Sequence, residues 1–453
     1  MDSVYNVYKH TSAFTPASTY LLAGTTNNTY TISGLDNTTR YYFRVSGVNK
    51  QGFEGTSAAI DMTPKFSGPV WWVATGGDDT SGEGSVSNPF KTIMHAMHEA
   101  NEGDTITIKP GTYTGTDNRD FDLDGKNLVV MSQYPTTWDS VIIDAEKQKP
   151  HFKVGYSSNS SSTITASKTK VVGITLTNGE DGSLRDNGQP GGGSVSLYNG
   201  SSITFEKVFF TNNNIINNSS TSSAGAVYMS HPGSQFLNCR FQNNKSNLDQ
   251  NGNANATGAL VVDGMALNDN AYSSKYTLID GCEFVNNHGR REGGAINARH
   301  STVIQNSYFY QNRSDRDDNS GDGGAIAAMP VNSGDGGASY TTYLHVINSV
   351  FVDNYAERYG GAILNYGSNH PKIFNSIFMN NRRGSQSGQD GELNDFHSHN
   401  QAKIRVDFSR VDQAGTDEAS FGEKMYYGDP AFVDIAKENF NLSAASSLIG
   451  AGT

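Results

Sequence analysis

The sequence predicts an all-β protein, most of which is a right-handed parallel β-helix solenoid. Of its 453 residues, 49 are glycine, 22 are tyrosine, 22 are phenylalanine and only 17% are charged. Aromatic residues favour strands and glycine marks tight turns, so this composition favours a strand-rich fold. Two linked sequence elements recur along the C-terminal half of the chain, and such a repeat indicates a solenoid.

The first repeated element is GGA(I/V/L) or a close variant of it, which we interpret as the start of a strand. Successive copies lie about 30 to 37 residues apart, the length of one solenoid coil with a variable loop. The copies begin at Gly192, Ala224, Thr257, Gly293, Gly323 and Gly360, with a degenerate copy at Asp390.

The second element, N-(S/C)-x-F-x-x-N, supplies positions that are expected to stack from coil to coil. In parallel strands about 4.8 Å apart, equal positions of successive coils superpose. We therefore expect an internal aromatic column, followed by an amide ladder at the next turn. The expected column is Phe209, Phe241, Phe284, Phe309, Phe351 and Phe378. The expected ladder is Asn212, Asn244, Asn287, Asn312, Asn354 and Asn381.

The pairing of these two elements over roughly residues 190–382 resembles the repeats of the chlamydial polymorphic membrane proteins and related β-helical surface proteins. The resemblance implies the β-helix fold and an extracellular or outer-surface location. The stretch YGDPAFVDIAKENFNLSAASSLIGAGT resembles the closing coil of such proteins, so we expect the natural chain to continue beyond Thr453. Because this fold hosts many activities, it leaves the function open.

Upstream of the repeats, the chain carries the pattern of a capped solenoid start. Phe90, Ile93, Met94 and Met97 follow helical spacing, which predicts a helix over about residues 89–100 that begins at Asn88 and Pro89. Such a helix would cover the apolar end of the first coil. Together with GDTITIKPGTY, this stretch resembles the start of pectate-lyase-like β-helix proteins of bacterial surfaces. Strands are expected at Thr105–Ile108, Leu128–Ser132, Val141–Asp144 and Val171–Thr175.

Residues 1–64 are predicted to be a separate module, joined through a linker at residues 65–70 to a β-helix over residues 71–453. LDNTTRYYFRVSGV resembles the end of a fibronectin type III domain, with Leu35 and Tyr41 at its tyrosine corner. The resemblance implies a partial β-sandwich and a longer multi-domain chain. The expected strands are Tyr5–Lys9, Thr29–Ile32, Tyr41–Asn49 and Ala58–Thr63.

The negative net charge of the chain argues against two classes of partner. A formal net charge of −12 and a pI near 5.3 speak against nucleic acid or an anionic membrane surface. The absence of an apolar run of about 18 residues predicts no membrane insertion. Cys239 and Cys282 occupy equal positions of adjacent coils, so they are expected as buried free thiols or, alternatively, as a disulfide.

An acidic loop, DRDDNSGDGG, is a candidate calcium site. Oxygen ligands at alternate positions can converge on Ca²⁺, although Ser320 stands where a calcium loop has glycine and no glutamate closes the loop. The alternative is a solvated acidic loop. The candidate ligands are Asp315, Asp317, Asp318, Asn319 and Asp322.

A second candidate metal site is the H-x-H pair of His397 and His399. A strand would present both imidazoles on one face, with Glu392 and Asp395 close in sequence. Two histidines and a carboxylate can hold Zn²⁺, but the sequence fixes no further ligand. The alternative is a pair of histidines in a polar loop.

The candidate catalytic residues come from one coil and the loop before it: Arg290, Arg291, Glu292, Arg299 and His300. Polysaccharide lyases need a cation or Arg to neutralise a uronate carboxylate, and a base for the adjacent proton. The alternative interpretation of this cluster is a solvated charged turn. The positions taken as outward on the GGA strands, such as Ala226 and Tyr228, offer no acid–base set.

We therefore expect first a secreted or cell-surface protein of adhesion, surface structure or glycan binding, whose partner is an extracellular polysaccharide or a host or cell-surface component. The second hypothesis is a calcium-dependent polysaccharide lyase or hydrolase, in which Arg299 and the carboxylates of residues 315–322 line one cleft. A third is a phage or fibre component. The aromatic candidates for stacking on sugars are Tyr228, Tyr366, Trp71, Trp72 and Trp138.

Overall fold

The computed structural model describes residues 4–27, 29–36, 39–55, 58–155, 168–181, 190–216, 223–246, 256–264, 275–315, 320–329, 343–366, 371–384, 391–399, 403–412 and 419–451. Within these residues the fold is almost entirely β-structure, with one α-helix at Ile93–Glu99. Short 3-10 turns lie at Ser18–Tyr20, Thr116–Asn118 and Ile435–Lys437. The described residues contain no helix long and apolar enough to cross a lipid bilayer.

The N-terminal module is an antiparallel sheet in the strand order Leu21–Thr25, Val4–His10, Tyr41–Val48, Ala58–Met62. The predicted strand Thr29–Ile32 is wrong, because these residues lie outside the sheet and Leu21–Thr25 pairs with the first strand instead. The Tyr41 hydroxyl accepts a hydrogen bond from the Asp36 amide at 3.0 Å, the backward contact that a tyrosine corner makes. The fibronectin type III assignment itself stays a prediction.

From Val70 onwards the chain winds into a parallel β-helix, with four sheets running along its length. The GGA sheet consists of Phe152–Val154, Val195–Leu197, Val227–Met229, Leu260–Val262, Ile296–Ala298, Ile326–Ala328, Ile363–Tyr366 and Phe396–His399. The second sheet consists of Val70–Val73, Thr105–Ile108, Val129–Ser132, Thr169–Val172, Ile203–Glu206, Gln235–Leu237, Thr277–Asp280, Thr302–Gln305, Leu344–Ile347, Lys372–Phe374, Ile404–Asp407 and Ala419–Phe421.

The other two sheets complete each coil. The phenylalanine sheet consists of Gly111–Tyr113, Val141–Asp144, Thr175–Thr177, Phe209–Thr211, Arg240–Gln242, Glu283–Val285, Tyr308–Tyr310, Val350–Val352 and Ile377–Met379. The short sheet consists of Glu180–Asp181, Asn214–Ile215, Lys245–Ser246, His288–Gly289, Arg313–Ser314, Tyr355–Ala356, Arg382–Arg383 and Glu392–Leu393. A further short pair joins Ser223–Ala224 to Ala256–Thr257. Neighbouring strands pair in parallel, except that Glu392–Leu393 runs antiparallel to Arg382–Arg383.

The second glycine of the GGA element is required by the approach of one coil to the next. A Cβ added at Gly258 or Gly294 would collide with the backbone carbonyl oxygen of the following coil. The alanine that follows, at Ala259, Ala295 and their equivalents, is fully buried in the main core. The prediction that these alanines point outward is therefore wrong, because the chain turns at the glycines and directs them inward. Asp390, the expected start of the degenerate copy, lies outside the described residues.

The aromatic column exists, but its first member is Phe210 rather than Phe209. Phe210 pairs with Phe241 in register, and their rings stack 4.6 Å apart at 9°. The stack continues through Phe284, Phe309, Phe351 and Phe378 with centroid spacings of 4.7, 4.8, 4.6 and 4.6 Å. All six rings are fully buried, so this column is the centre of the solenoid core.

The amide ladder starts one residue later than predicted, at Asn213 instead of Asn212. Each Nδ2 donates to the Oδ1 of the next coil at 2.9–3.0 Å and to a backbone carbonyl of the preceding coil. From Asn244 onwards each Oδ1 also accepts the backbone N–H of the preceding ladder residue, and Asn213 Oδ1 accepts the Gly179 amide. The buried amides thus satisfy one another and the turn backbone. The observed members are Asn213, Asn244, Asn287, Asn312, Asn354 and Asn381.

The cap helix is shorter than predicted and begins after Thr92, whose hydroxyl accepts the His95 amide at 3.4 Å. Phe90 is not helical, because its backbone forms a bridge to Val73 and its ring stacks on Trp71 at 5.8 Å. This extended segment excludes Asn88 and Pro89 as the helix start. Ile93 and Met97 of the helix are buried against the first coil, as expected of a cap.

The C-terminal stretch does not form a further coil, contrary to its resemblance to a closing coil. Phe432–Asp434 and Asn439–Leu442 form an antiparallel hairpin, which we call the C-terminal hairpin. It folds back along the outer face of the phenylalanine sheet, where the Phe440 ring lies 4.9 Å from that of Tyr308. The outward aromatic and charged side chains of that sheet provide its contact surface.

The two cysteines are free thiols in the core. Cys239 and Cys282 are both fully buried, and each Sγ donates to a backbone carbonyl at 3.3 Å. Burial raises the pKa of the Cys282 thiol well above its ordinary value. These contacts agree with the interpretation of the cysteines as small core residues.

Candidate functional site

The outer side of the GGA sheet carries the densest group of predicted site residues. Strand register places Tyr228, Asn297 and His397 in one outward column. A second column, next to it, contains Asp263 and Arg299, which follow the paired Val262 and Ala298. The parallel stacking of coils therefore brings polar residues from distant parts of the sequence to one face.

Tyr228 and Asp263 form the N-terminal part of this face. The Tyr228 hydroxyl donates to Asp263 Oδ2 at 3.0 Å, and Asp263 Oδ1 lies 3.7 Å from Arg299 Nε. Tyr228 is fully buried, so its predicted role as an exposed sugar-stacking residue is wrong. Its ring instead packs near Tyr198 and Val261 in a small apolar cluster on this side of the sheet.

Glu292 lies at the centre of the face and is buried. Its Oε2 accepts a hydrogen bond from Asn297 Nδ2 at 2.9 Å. Burial raises the pKa of Glu292 above its ordinary value, although the charges of Arg299 and Arg291 act in the opposite direction. A buried carboxyl group that is biased towards its neutral form is a potential proton donor.

A column of residues directly before the GGA motif continues the face. Glu292, Asp322 and Tyr359 form backbone bridges across successive coils. Asp322 is buried and accepts a bidentate interaction from Arg358, with Nε to Oδ1 at 2.9 Å. The Arg358 guanidinium lies 5.1 Å from the centroid of Tyr359, so it links the carboxylates to the aromatic end of the face.

Four rings form this aromatic end, which we call the Tyr-His cluster: Tyr359, Tyr366, His397 and His399. Tyr359 stacks on His397 at 4.1 Å, and the two histidine rings are 4.5 Å apart. The Tyr366 ring lies 4.7 Å from that of His399, and the residue Tyr366 is 42% exposed. The cluster thus combines a packed inner part with an accessible aromatic surface.

The five catalytic candidates are only partly brought together. Glu292 interacts with both Arg299 and Arg291, whereas the Arg290 amide binds Ser246 Oγ at 3.0 Å. His300 lies beside His231 instead, and burial lowers its pKa to about 4. The sequence therefore indicated the central carboxyl group and its arginines, but it grouped His300 with them only because of its position in the chain.

For the predicted calcium loop, Asp317, Asp318 and Asn319 lie outside the described residues. Asp315 pairs with His288 and Arg313, while Asp322 pairs with Arg358 on the GGA side. Their carboxylates are thus engaged by arginine and histidine side chains in two different places. The described residues contain no group of three or more acidic, histidine or cysteine side chains positioned for a metal ion.

The histidine pair shares one face, as the H-x-H pattern predicts, because the rings of His397 and His399 are in contact. The two nearby carboxylates are directed elsewhere: Glu392 pairs with Arg383, and Asp395 accepts from Asn381. Aromatic packing on Tyr359 accounts for the buried His397. The zinc site stays a prediction.

The prediction from sequence omitted Asp263, Asn297, Arg358 and Tyr359. A signal for two of them was present, because Arg358 and Tyr359 directly precede GGA, as Arg291 and Glu292 do two repeats earlier. Of the other aromatic candidates, Trp71 is buried against Phe90, and Trp72 and Trp138 are half-buried.

The strand pairing and the internal ladders define this molecule as a parallel β-helix protein. Residues 75–314, more than half of the chain, match the family described as "Protein of unknown function (DUF1565)". The chain belongs to this family. Comparison with the sequences of curated proteins gives no match.

Among solved structures, the chain resembles pectate lyase Pel9A, with 17% identity, a TM-score of 0.47, and coverage of 85% of this chain and 91% of that one. It also resembles a rhamnogalacturonan lyase, with 15% identity, a TM-score of 0.48, and coverage of 84% and 96%. A family 28 exopolygalacturonase of Yersinia enterocolitica gives 11% identity and a TM-score of 0.27, covering 94% and 92%. The fold assignment rests on the strand pairing of this chain itself.

Proposed function

We propose that this protein is an extracellular or cell-surface β-helix module that binds a polysaccharide through the Tyr-His cluster. The observation that carries this proposal is Tyr366, a residue that is 42% exposed and whose ring makes an edge contact with His399. Rigid, accessible aromatic rings provide a large apolar contact with little loss of conformational freedom, which suits the apolar face of a sugar.

Arg358 adds a polar contact to this surface. Its side chain is 37% exposed and fixed by Asp322, so it can donate to ligand hydroxyl groups without losing its own ion pair. Adhesion or a structural surface role would follow from such binding.

A glycan array followed by calorimetric titration of the best ligand tests the proposal. Tyr366→Ala is expected to weaken binding about tenfold, a loss of about 1.4 kcal/mol. Tyr427→Ala is the matched control, since Tyr427 is a 57% exposed tyrosine outside the cluster. Equal affinities of the wild type and Tyr366→Ala for every bound glycan would show that the cluster is not the binding site.

The raised pKa of the buried Glu292 favours a second candidate function, that of a polysaccharide lyase or hydrolase. A carboxyl group with a raised pKa beside Arg299 and Asp322 is the kind of arrangement that acid–base catalysis on a glycan uses. In this candidate function, calcium would bind to the loop of residues 315–322. Incubation with candidate polysaccharides, with and without Ca²⁺, followed by ultraviolet absorbance for unsaturated products and a reducing-end assay, tests this activity, with Glu292→Gln as the inactive variant.

A further inference from the structure

The outer face of the phenylalanine sheet holds a carboxylate that belongs to the C-terminal hairpin. Glu438 Oε2 lies 2.9 Å from Arg240 Nη2, and the same nitrogen donates to Oε1 at 3.2 Å. The Tyr308 hydroxyl donates to Oε2 at 2.9 Å. Two donors from different coils therefore converge on one carboxylate that comes from 198 residues further along the chain.

Arg240 and Tyr308 lie on strands of the sheet and are also held by contacts within it, including a hydrogen bond from Arg240 Nη1 to the Tyr308 hydroxyl at 3.3 Å. Arg240 also donates to Glu283 Oε2 at 2.5 Å, on the adjacent strand. Burial raises the pKa of Tyr308, and the charge of Glu283 adds to the effect, so the hydroxyl remains a donor at neutral pH. The carboxylate site is therefore pre-organised on rigid strands.

The hairpin occupies this site with a carboxylate and a ring, and a sugar acid could make the same two kinds of contact. Phe440 places its ring 4.9 Å from Tyr308 and 5.4 Å from Tyr310, two residues after Glu438. Glu438 itself has a φ of 56°, a left-handed conformation that favours glycine or asparagine. A uronic acid residue likewise combines a carboxylate with the apolar C–H face of its sugar ring.

The aromatic surface continues beyond the hairpin contacts. The Arg240 guanidinium lies 5.9 Å from the centroid of Phe209, and the Phe209 ring lies 5.8 Å from that of Trp138. Both rings are half-buried on the same outer face. The row from Trp138 to Tyr308 is thus long enough for several consecutive sugar residues, because adjacent strands are about 4.8 Å apart.

We propose that Arg240 and Tyr308 form a second ligand site, for a carboxylate-bearing glycan, that Glu438 and Phe440 occupy from within the chain. An acidic sugar chain binds along the row and displaces the hairpin. This inference takes only the class of ligand from the proposed function, and it uses a different face of the solenoid. The negative charge of the whole protein does not prevent it, since charges beyond about 8 Å are screened at physiological ionic strength.

Calorimetric titration with a galacturonate hexamer, and with a neutral galactose-based hexamer for comparison, tests the proposal on the full chain. The double variant Glu438→Gln/Phe440→Ala is expected to bind the acidic hexamer at least about tenfold more tightly than the wild type, because the internal competitor is removed. Adding Arg240→Gln should abolish this gain. Binding of the neutral hexamer should not change.

Glu423→Gln is the matched control, since it removes an exposed carboxylate elsewhere in the C-terminal segment. All proteins in this titration series, including the reference that is otherwise wild type, also carry Tyr366→Ala, so that failure of the first proposed site does not affect the result. Equal affinity of a folded double variant and the wild type would overturn the proposal, as would a gain that survives Arg240→Gln.

If the double variant does not fold, amide hydrogen exchange of residues 432–442 in the wild type tests whether the hairpin is displaced. Saturating hexamer should accelerate it, and unchanged exchange would contradict hairpin displacement.

Discussion

Asn381 Nδ2 donates to Asp395 Oδ1 at 2.9 Å, so the asparagine ladder ends on a buried carboxyl group. Asp395 Oδ2 accepts the Asp412 amide at 2.9 Å. Asp395 therefore closes the series of hydrogen bonds that begins at Asn213. The ladder connects the turns of successive coils, and its terminal group differs from all the others in being able to ionise.

Loss of an internal ladder amide should destabilise the solenoid strongly. Asn287→Ala would leave the Asn244 amides and the Phe241 carbonyl without their buried partner, at an expected cost of about 2 to 4 kcal/mol in the free energy of unfolding. Asn286→Gly is the control, since Asn286 is exposed and its φ of 51° suits glycine. It should cost less than about 1 kcal/mol. Equal losses in urea denaturation would contradict this role for the ladder.

Asp395 should make the protein less stable as the pH rises. Burial raises its pKa from 3.8 to about 7, so between these values the folded state holds a proton that the unfolded state has lost. The stability contributed by this proton is present below about pH 4 and is lost by about pH 7. Asp395→Asn should therefore gain stability relative to the wild type across this window, measured by denaturation at several pH values. A pH-independent difference would contradict the shifted pKa.

His151 should have the opposite effect. Burial lowers its pKa to about 4, with Nε2 facing the Ile143 carbonyl at 3.0 Å and Nδ1 facing Ser194 Oγ at 2.9 Å. Because the unfolded histidine titrates near 6.5, the stability from neutral His151 is complete above that pH and is lost as the pH falls towards 4. NMR titration of the imidazole measures this directly. A midpoint near 6.5 in the folded protein would exclude the buried neutral state.

The stacking of coils should not tolerate a side chain at the second glycine of the repeat. At Gly294 a new Cβ would collide with the Gly324 carbonyl oxygen, which is backbone and cannot move without separating two coils. Gly294→Ala is expected to cost several kcal/mol or to prevent folding, with thermal denaturation as the measurement. Gly428→Ala should have little effect, since a Cβ at this position would meet nothing within 4 Å beyond its chain neighbours. A normal melting temperature for Gly294→Ala would refute the packing argument.

The first residue of the aromatic column, Phe210 instead of the predicted Phe209, shows where prediction from sequence is limited. The stretch FFTNNN satisfies F-x-x-N both as Phe209 with Asn212 and as Phe210 with Asn213. Only the strand register, in which Phe210 pairs with Phe241, selects the second choice. Because side chains alternate across a strand, a shift of one residue exchanges the core and solvent faces, and a motif with two matches cannot decide between them.

The candidate site follows the same pattern. Glu292 and Arg299 could be predicted together because they lie in one coil, only seven positions apart in the sequence. Asp263, Arg358 and Tyr359 come from other coils and reach the same face only through parallel stacking. Their positions in the sequence do not show that they lie close together in the fold.

The sequence by itself determined that this chain is a stacked β-solenoid, because its period, its inward phenylalanines and its turn asparagines repeat too regularly for another fold. The tertiary structure decided which residues meet on the outer faces. Arg240 and Glu438 are separated by 198 residues, and no repeat relates them. Their contact depends on a hairpin that turns back instead of adding a further coil. The hairpin takes this position because its side chains pack against those on the outer face of the phenylalanine sheet.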